Sequence, residues 1–446
     1  MNLSIRLQRR YYAGFKNLKL FMVLVIGIIT CLATDCMGQK VYDHLTYETP
    51  GFLIASDVLP PELTIGKNYS IMGAIDTPID TDTGTLGFTY KFDITSSYGN
   101  YEAFCIDMVR IRAHEINVIA VLQDIRKTKA FSKAITKARK SPYKKATYLI
   151  LDPVDTVTGV PRDDWRFITT QSGEMIEGGP KGTKGGHADA LTDFFKIKCR
   201  YAYKLGVDVY STNTELQKEL NSISMAGFAS GAGTSLLFTK AGKSADGLML
   251  KDAKNLKVIT RTPFLEEIDT LLLDNTQDGL KIINREKLKQ IVKENYVIEG
   301  FLNHDNYTPR NKMIIVHALA KMDGTKNRDV FIKQALLVDN DEIAFIYQDM
   351  AEMIYYYHKR VKPVVEIIPV RKMVANYTID QAIIAMLPID NLYWSEPTDL
   401  LVSELLQLSK SKDREVKKVI MGISGKATSL AKEVLTARGI VIKENM

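Results

Sequence analysis

The feature that most constrains this fold is a run of small residues closing an otherwise ordinary helical pattern. Within Asp189–Phe238, Leu191, Phe194, Phe195, Ile197, Tyr201 and Leu205 recur near helical spacing and predict an amphipathic helix. Gly206 follows it where a left-handed cap belongs. The connection Val207–Asn213 is tight, and Ser211, Thr212 or Asn213 can cap a second helix from Glu215. That second helix runs into Ala226, Gly227, Ala229, Ser230, Gly231, Ala232 and Gly233. Glycine inside a helix costs about 1 kcal/mol against alanine, so the run needs a reason. Close packing against another backbone supplies one.

Around this pair of helices the period of the sequence changes several times. Gln39–Thr83 is polar and proline-punctuated and predicts an extended lead-in with little regular structure. Phe88, Tyr90, Phe92 and Ile94 alternate within Thr85–Thr95, a turn follows at Ser96–Asn100, and the chain returns through Tyr101, Ala103 and Cys105. That is a β-hairpin pattern. From about Met108 to Lys140 the period is helical, with Ile116, Ile119, Leu122, Ile125, Phe131 and Ile135 on one side. Ala146–Pro153 is a buried-strand candidate. Ser172–Gly186, with six glycines, predicts an exposed loop without phosphate-binding spacing.

Thr239–Gly247 opens the clearest internal linker, and Thr262–Arg360 is almost wholly helical. Asn284, Thr308 (with Pro309) and Asp339 are the expected caps there. The end changes character again. Val364–Val370 and Ile379–Leu387 are strand candidates, and Glu396–Leu408 is a helix. Val416–Ser424, Ala427–Arg438 and Gly439–Lys443 then predict strand, helix and strand. The expected class is a helix-rich α+β fold: an N-terminal β-hairpin with long helices, a helical middle and a small C-terminal α/β unit. The expected segments are 1–38 (signal peptide), 39–238, 239–261 (linker), 262–360 and 361–446.

The N-terminus reads as an address. Arg6, Arg9, Arg10, Lys16 and Lys19 precede an apolar run of thirteen residues, Leu20–Leu32. That is short for a membrane span and fits the core of a secretory signal peptide, with cleavage before Gln39. An uncleaved anchor and a lipoprotein acylated at Cys31 or Cys36 are the alternatives. Removing 1–38 takes away five basic residues and one acid, which lowers the net charge from +7 to +3. The basicity therefore belongs mostly to the targeting segment and argues against a nucleic-acid partner.

Few residues announce chemistry. Arg126–Lys145 carries nine basic residues and no acid. Arg126, Lys127, Lys129, Lys133, Lys137, Arg139 and Lys140 form the candidate surface for an acidic protein partner or an anionic membrane, set against a plain solvated helix face. Ser424, Gly425 and Lys426 lie at a strand-to-helix turn that could hold an anion, although two residues rather than the P-loop's four separate Gly422 from the Gly-Lys pair. His304, His317 and His358 are the only cluster a hydrolase reading could use, provided their helices meet. His114-Glu115 begins an HExxH motif that lacks its second histidine. No Cys/His spacing predicts a metal site and no motif calls for a cofactor. Cys105 and Cys199 are compatible with a disulfide or with two free thiols. Tyr355 is expected to be open to a partner with Tyr356 packed inward, and Trp394 to be packed.

The stretches Gly206–Asn221, Val58–Leu63 and Asn306–Met313 resemble a family of uncharacterised exported bacterial proteins. The resemblance implies secretion and brings no activity or catalytic residue with it. The expected function is that of an exported periplasmic or envelope-associated protein that binds a partner without catalysis. An envelope hydrolase is the alternative.

Overall fold

A computed structural model describes residues 47–49, 52–77, 89–142, 186–238 and 264–446. All the elements below belong to the unit Thr49–Met446, distinct from Met1–Glu48. The expected signal segment 1–38, the strand candidate Ala146–Pro153, all but the last residue of the Ser172–Gly186 loop and the expected linker 239–261 lie outside the described residues.

The hairpin forms where the alternation places it. Strands β3 (Thr89–Ser96) and β4 (Gly99–Phe104) pair antiparallel with Ser96 opposite Gly99. The turn needs Gly99, whose φ is +129°. The lead-in was expected to lack regular structure, and here the structure corrects the sequence. Strand β1 (Phe52–Leu53), helices α1 (Ala55–Val58) and α2 (Pro61–Thr64), and strand β2 (Tyr69–Thr77) precede the hairpin. β2 completes an antiparallel sheet in the order β1-β2-β3-β4. Its register shifts between Ile71 and Ala74. Such a shift breaks the period-two pattern by which a strand is recognised.

Phe92, Ile94 and Ala103 of this sheet bury against Val109, Ala113 and Ile116 of helix α3 (Ile106–Arg126). The single helix expected to about Lys140 is two. Thr128 interrupts it and caps α4 (Lys129–Ala138), accepting from the Phe131 N–H at 3.2 Å. Helix α5 (Gly186–Leu205) ends at Gly206, φ +66°, as predicted. Asn213 caps α6 (Thr214–Ser230).

The small-residue run is explained at the end of α6. The helix stops at Ser230, Gly231 turns left-handed at φ +71°, and the Gly233 N–H donates back to the Gly227 carbonyl at 2.9 Å. A Cβ on Gly227 would stand 2.2 Å from the Gly233 carbonyl oxygen. The backbone that approaches is thus the helix's own exit.

The middle is helical throughout: α7 (Leu265–Asp274), α8 (Gln277–Leu288), α9 (Asn295–Leu302), α10 (Pro309–Ala320), α11 (Arg328–Ala335) and α12 (Asp341–Arg360). Thr308 caps α10 in a capping box with Asn311. The other two caps are corrected. Asn284 is buried inside α8, which Thr276 caps, and Asn340 rather than Asp339 caps α12.

The C-terminal unit is a mixed sheet in the order β11-β9-β7-β6-β5. It comprises β5 (Val364–Val370), β6 (Met373–Thr378), β7 (Ala382–Leu387), β9 (Lys418–Ile423) and β11 (Ile440–Lys443), joined by α13 (Glu396–Ser409) and α14 (Ser429–Ala437). A short parallel pair, β8 (Asn391–Leu392) with β10 (Lys426–Ala427), lies beside it. The predicted strand–helix–strand at the end pairs β9 parallel to β11. Every residue of β7 is buried, as a strand covered on both faces requires. Trp394 is packed as expected, with Arg438 4.7 Å above its ring.

Two helical glycines should respond oppositely to alanine. Gly227→Ala meets the Gly233 carbonyl and should cost about 2 kcal/mol despite its better helix propensity. Gly279→Ala in α8 meets only ordinary contacts with Asn275 and Thr276 at 3.4 Å or more, and should gain up to about 1 kcal/mol. Thermal unfolding of both variants reads the difference in sign.

Candidate functional site

A cleft of about 770 Å³ opens where α3, the α5–α6 connection, α7 and the first turns of α10 and α12 meet. One wall is tied together by a buried carboxylate. Glu115, 2% exposed, accepts from Arg112 Nη1 at 2.7 Å, from Asn213 Nδ2 at 3.0 Å and from Ser211 Oγ. Arg112 Nη2 continues to Thr212 Oγ1 at 2.6 Å. His114, the residue before Glu115, meets the Leu205 carbonyl through Nε2 at 2.8 Å. Removing one partner of a buried pair of this kind costs about 3–5 kcal/mol, because the other charge is stranded. The wall is therefore rigid.

The facing side carries Arg310, whose Nη1 donates to Asp269 Oδ1 at 3.0 Å. Asn311 Nδ2 donates to Gln348 Oε1 at 2.7 Å. Asp208, on the α5–α6 connection, accepts from the Tyr210 N–H at 3.0 Å. Burial holds its carboxyl above the ordinary range, with the Arg310 charge opposing. Close by on α12, burial and then the hydrogen bond with Asp341 raise Glu342 to about 7. Between these polar groups the lining is apolar, from Met108, Ile111, Leu265, Leu272, Leu273 and Phe345. A concave site of mixed charge with apolar walls can hold and orient a small molecule.

The sequence pointed elsewhere. Of the basic residues, Arg126 pairs with buried Glu219 at 3.0 Å and Lys127 with Asp124 at 2.9 Å. Lys129, Lys133, Lys137 and Lys140 are exposed, and Arg139 is half-buried. Their spacing places those four lysines on one stripe of α4 and its exit turn. Among the described residues no carboxylate pairs with any of the four. The opposite side of α4, with Phe131, Ala134 and Ala138, is buried, and α4 packs on α6.

At the C-terminal turn the backbone donors are already committed. The N–H groups of Ser424, Gly425 and Lys426 donate to the carbonyls of Leu387, Ile389 and Asp390 at 2.8–3.1 Å, and Ser424 Oγ also donates to Ile389. The Glu444 carboxylate accepts from the Ala427 N–H at 2.7 Å. An anion there would compete with carbonyls and a carboxylate.

The three histidines have separate surroundings. His304 packs on Tyr307, His317 on Phe264, and His358 Nδ1 accepts from the Val364 N–H at 3.1 Å. Among the described residues no three His, Cys, Asp or Glu side chains are grouped to hold a metal. Cys105 and Cys199 are two buried free thiols, the latter pushed up to about 12 by burial. The tyrosines are the reverse of expectation. Tyr355 is buried against Phe264, and Tyr356 is the exposed one at 44%. No described helix is long and apolar enough to cross a membrane.

Sequence reasoning missed Arg112, Asp208 and Arg310, and met Glu115 only in the incomplete HExxH motif. Ser211 and Asn213 were visible as capping candidates. Asn213 does cap α6, and both also serve Glu115.

His317 makes a pH prediction. It is fully buried, and burial, with Lys287 adding to it, lowers its pKa to about 4. The unfolded chain therefore takes up a proton near pH 6.5 that the folded chain refuses until about pH 4. This contribution is fully present above pH 6.5 and is lost as the pH falls towards 4. At pH 5 it should amount to about 2 kcal/mol. Urea unfolding at pH 7 and pH 5 should show that loss in the wild type and a smaller one in His317→Gln.

No protein-family model, curated protein or solved structure matches the chain. Its function is therefore inferred from its own side chains.

Proposed function

We propose that this is an exported, envelope-associated binding protein that rests on an anionic lipid headgroup surface through the lysine stripe of α4. The observation that carries the reading is selective neutralisation. Arg126 and Lys127 have carboxylate partners, whereas Lys129, Lys133, Lys137 and Lys140 face outward together without one among the described residues. A lysine near an anionic surface contributes about 1 kcal/mol, so four give about 4 kcal/mol, a dissociation constant near the millimolar range. Such contact is reversible, and stable residence takes a second attachment. An uncleaved N-terminal anchor, or a lipid on Cys31 or Cys36, would supply one.

The chemistry of the stripe favours headgroups over a protein. Protein hot spots are built on tryptophan, tyrosine and arginine, and lysine is depleted from interface cores. The apolar side of α4 is turned inward, so the contact is made at headgroup level without insertion.

Co-sedimentation with vesicles tests this. Binding is expected to phosphatidylglycerol vesicles at low salt, to be lost at high salt, to be absent with phosphatidylcholine, and to be lost in Lys133→Glu/Lys137→Glu/Lys140→Glu. Salt-insensitive binding, or no binding beside a captured acidic protein, would replace the lipid surface with another partner.

A further inference from the structure

The cleft has a chemistry that the lysine stripe does not use. Its lining carries six carboxylates, Glu115, Asp208, Glu266, Asp269, Asp341 and Asp349, against two guanidiniums and one ammonium, those of Arg112, Arg310 and Lys204. Both guanidiniums are engaged, Arg112 by Glu115, and Arg310 by Asp269 with Asp208 in its field. The lining is therefore negative on balance, which favours a cation. At the start of α12, burial and the hydrogen bond with Asp341 hold the Glu342 carboxyl above the ordinary range, with the Arg112 charge opposing. That pair keeps a proton whose place a cation would take.

A buried amide gives a second indication, independent of charge. Gln348 lines the cleft and is 4% exposed. A relay fixes its orientation. The Thr308 N–H donates to Asn311 Oδ1 at 2.9 Å, which turns Asn311 Nδ2 towards Gln348, and Gln348 presents Oε1 to it at 2.7 Å. Gln348 Nε2 is left over, and among the described residues it meets no acceptor. A buried donor without an acceptor is costly, so the site suits an oxygen brought by a ligand.

Asp341, Phe345, Gln348 and Asp349 share one stripe of α12, which at 1.5 Å per residue is about 12 Å long. In order it offers a carboxylate, an aromatic ring, an amide donor and a second carboxylate. A metal ion fits this poorly, since among the described residues no three His, Cys, Asp or Glu side chains are grouped to hold one. A plain polyamine answers the carboxylates and leaves the Gln348 donor unmet. A sugar bearing ammonium groups answers both, and Leu272, Leu273 and the half-exposed Tyr203 add surface for the C–H faces of its rings.

We propose that this cleft binds short amino sugars, with their ammonium groups at the α12 carboxylates, a hydroxyl oxygen accepting from Gln348 and a ring face on Phe345.

Calorimetry on the full chain, at a slightly acidic pH where sugar amines are protonated, tests this with three probes. They are the glucosamine disaccharide with both amines free, its N-acetylated form and spermidine. The free-amine disaccharide should bind at least about tenfold more tightly than either of the others, and Asp341→Asn and Gln348→Met should each weaken it about tenfold. Asp341 is exposed, so its variant reports on charge even if Gln348→Met, which also strips Asn311 of its acceptor, folds poorly. Equal binding of the acetylated disaccharide would overturn the ammonium contact, and equal binding of spermidine would overturn the role of Gln348. No binding of the free-amine disaccharide, or undiminished affinity in the folded Asp341→Asn variant, would overturn the proposal outright.

Discussion

Much of this structure depends on one carboxylate near the C-terminal end of the chain. Asp390 accepts from the Tyr90 N–H at 3.1 Å and from the Ile106 N–H at 3.2 Å, across 300 and 284 residues of sequence. Ile106 is the first residue of α3, where unsatisfied N–H groups and the helix dipole both favour a negative charge. The residue before it, Cys105, holds φ 71° and ψ 154°. Only glycine visits that region at ease, so the conformation costs about 1–3 kcal/mol and persists because its surroundings impose it. Gly425 closes the arrangement from the other side. A Cβ there would stand 1.9 Å from the Asp390 carbonyl oxygen. The N-terminal sheet, the first long helix and the C-terminal sheet are thereby fixed to one another at a single loop.

The consequence reaches the cleft along α3. Once Asp390 fixes the start of this helix, Arg112 and Glu115 follow within three turns, and they clamp the α5–α6 connection that presents Asp208. The other end of α3 is held by the Arg126–Glu219 pair, which fastens it to α6. A helix pinned at both ends and buried along its length gives its polar side chains little freedom. That preorganisation distinguishes the cleft wall from a surface cluster of the same composition.

What was legible in the sequence was whatever is set locally. Gly206, Thr308 with Pro309, the β3–β4 alternation and the boundaries of β5 are dictated by neighbours within a few residues, and the structure has them in place. Strand β6 was not legible because its hairpins lack the usual turn residues. Arg371 and Gln381 take φ +51° and +61° where glycine or asparagine would have signalled a turn. The cleft was hidden for a different reason. Glu115 meets Ser211 and Asn213 across 96 and 98 positions, and Arg310 comes from another helix again. Nothing in the spacing of those residues marks them as partners. Ser211 and Asn213 were noticed for a local role that they share with a distant one. The basic segment was legible as a charge run but not in its detail, because charge density along the chain does not reveal that Arg126 and Lys127 are neutralised by Glu219 and Asp124.

Charge has a different meaning in the two places. On α4 the lysines stand in water, where two charges interact weakly and salt screens them beyond about 8 Å at physiological ionic strength. In the cleft wall, Arg112 and Glu115 are 14% and 2% exposed, and a charge stripped of its partner there cannot recover its hydration. Surface attraction of the first kind can be tuned by salt, lipid composition or a competing polyanion without touching the fold. A contact of the second kind cannot be weakened without destabilising the helix that carries it. The chain thus keeps its adjustable charges on a helix whose inner side only packs. Its fixed charges sit on the helix that Asp390 anchors, so the charge that α4 presents to solvent can be screened while the geometry of the cleft wall stays constant.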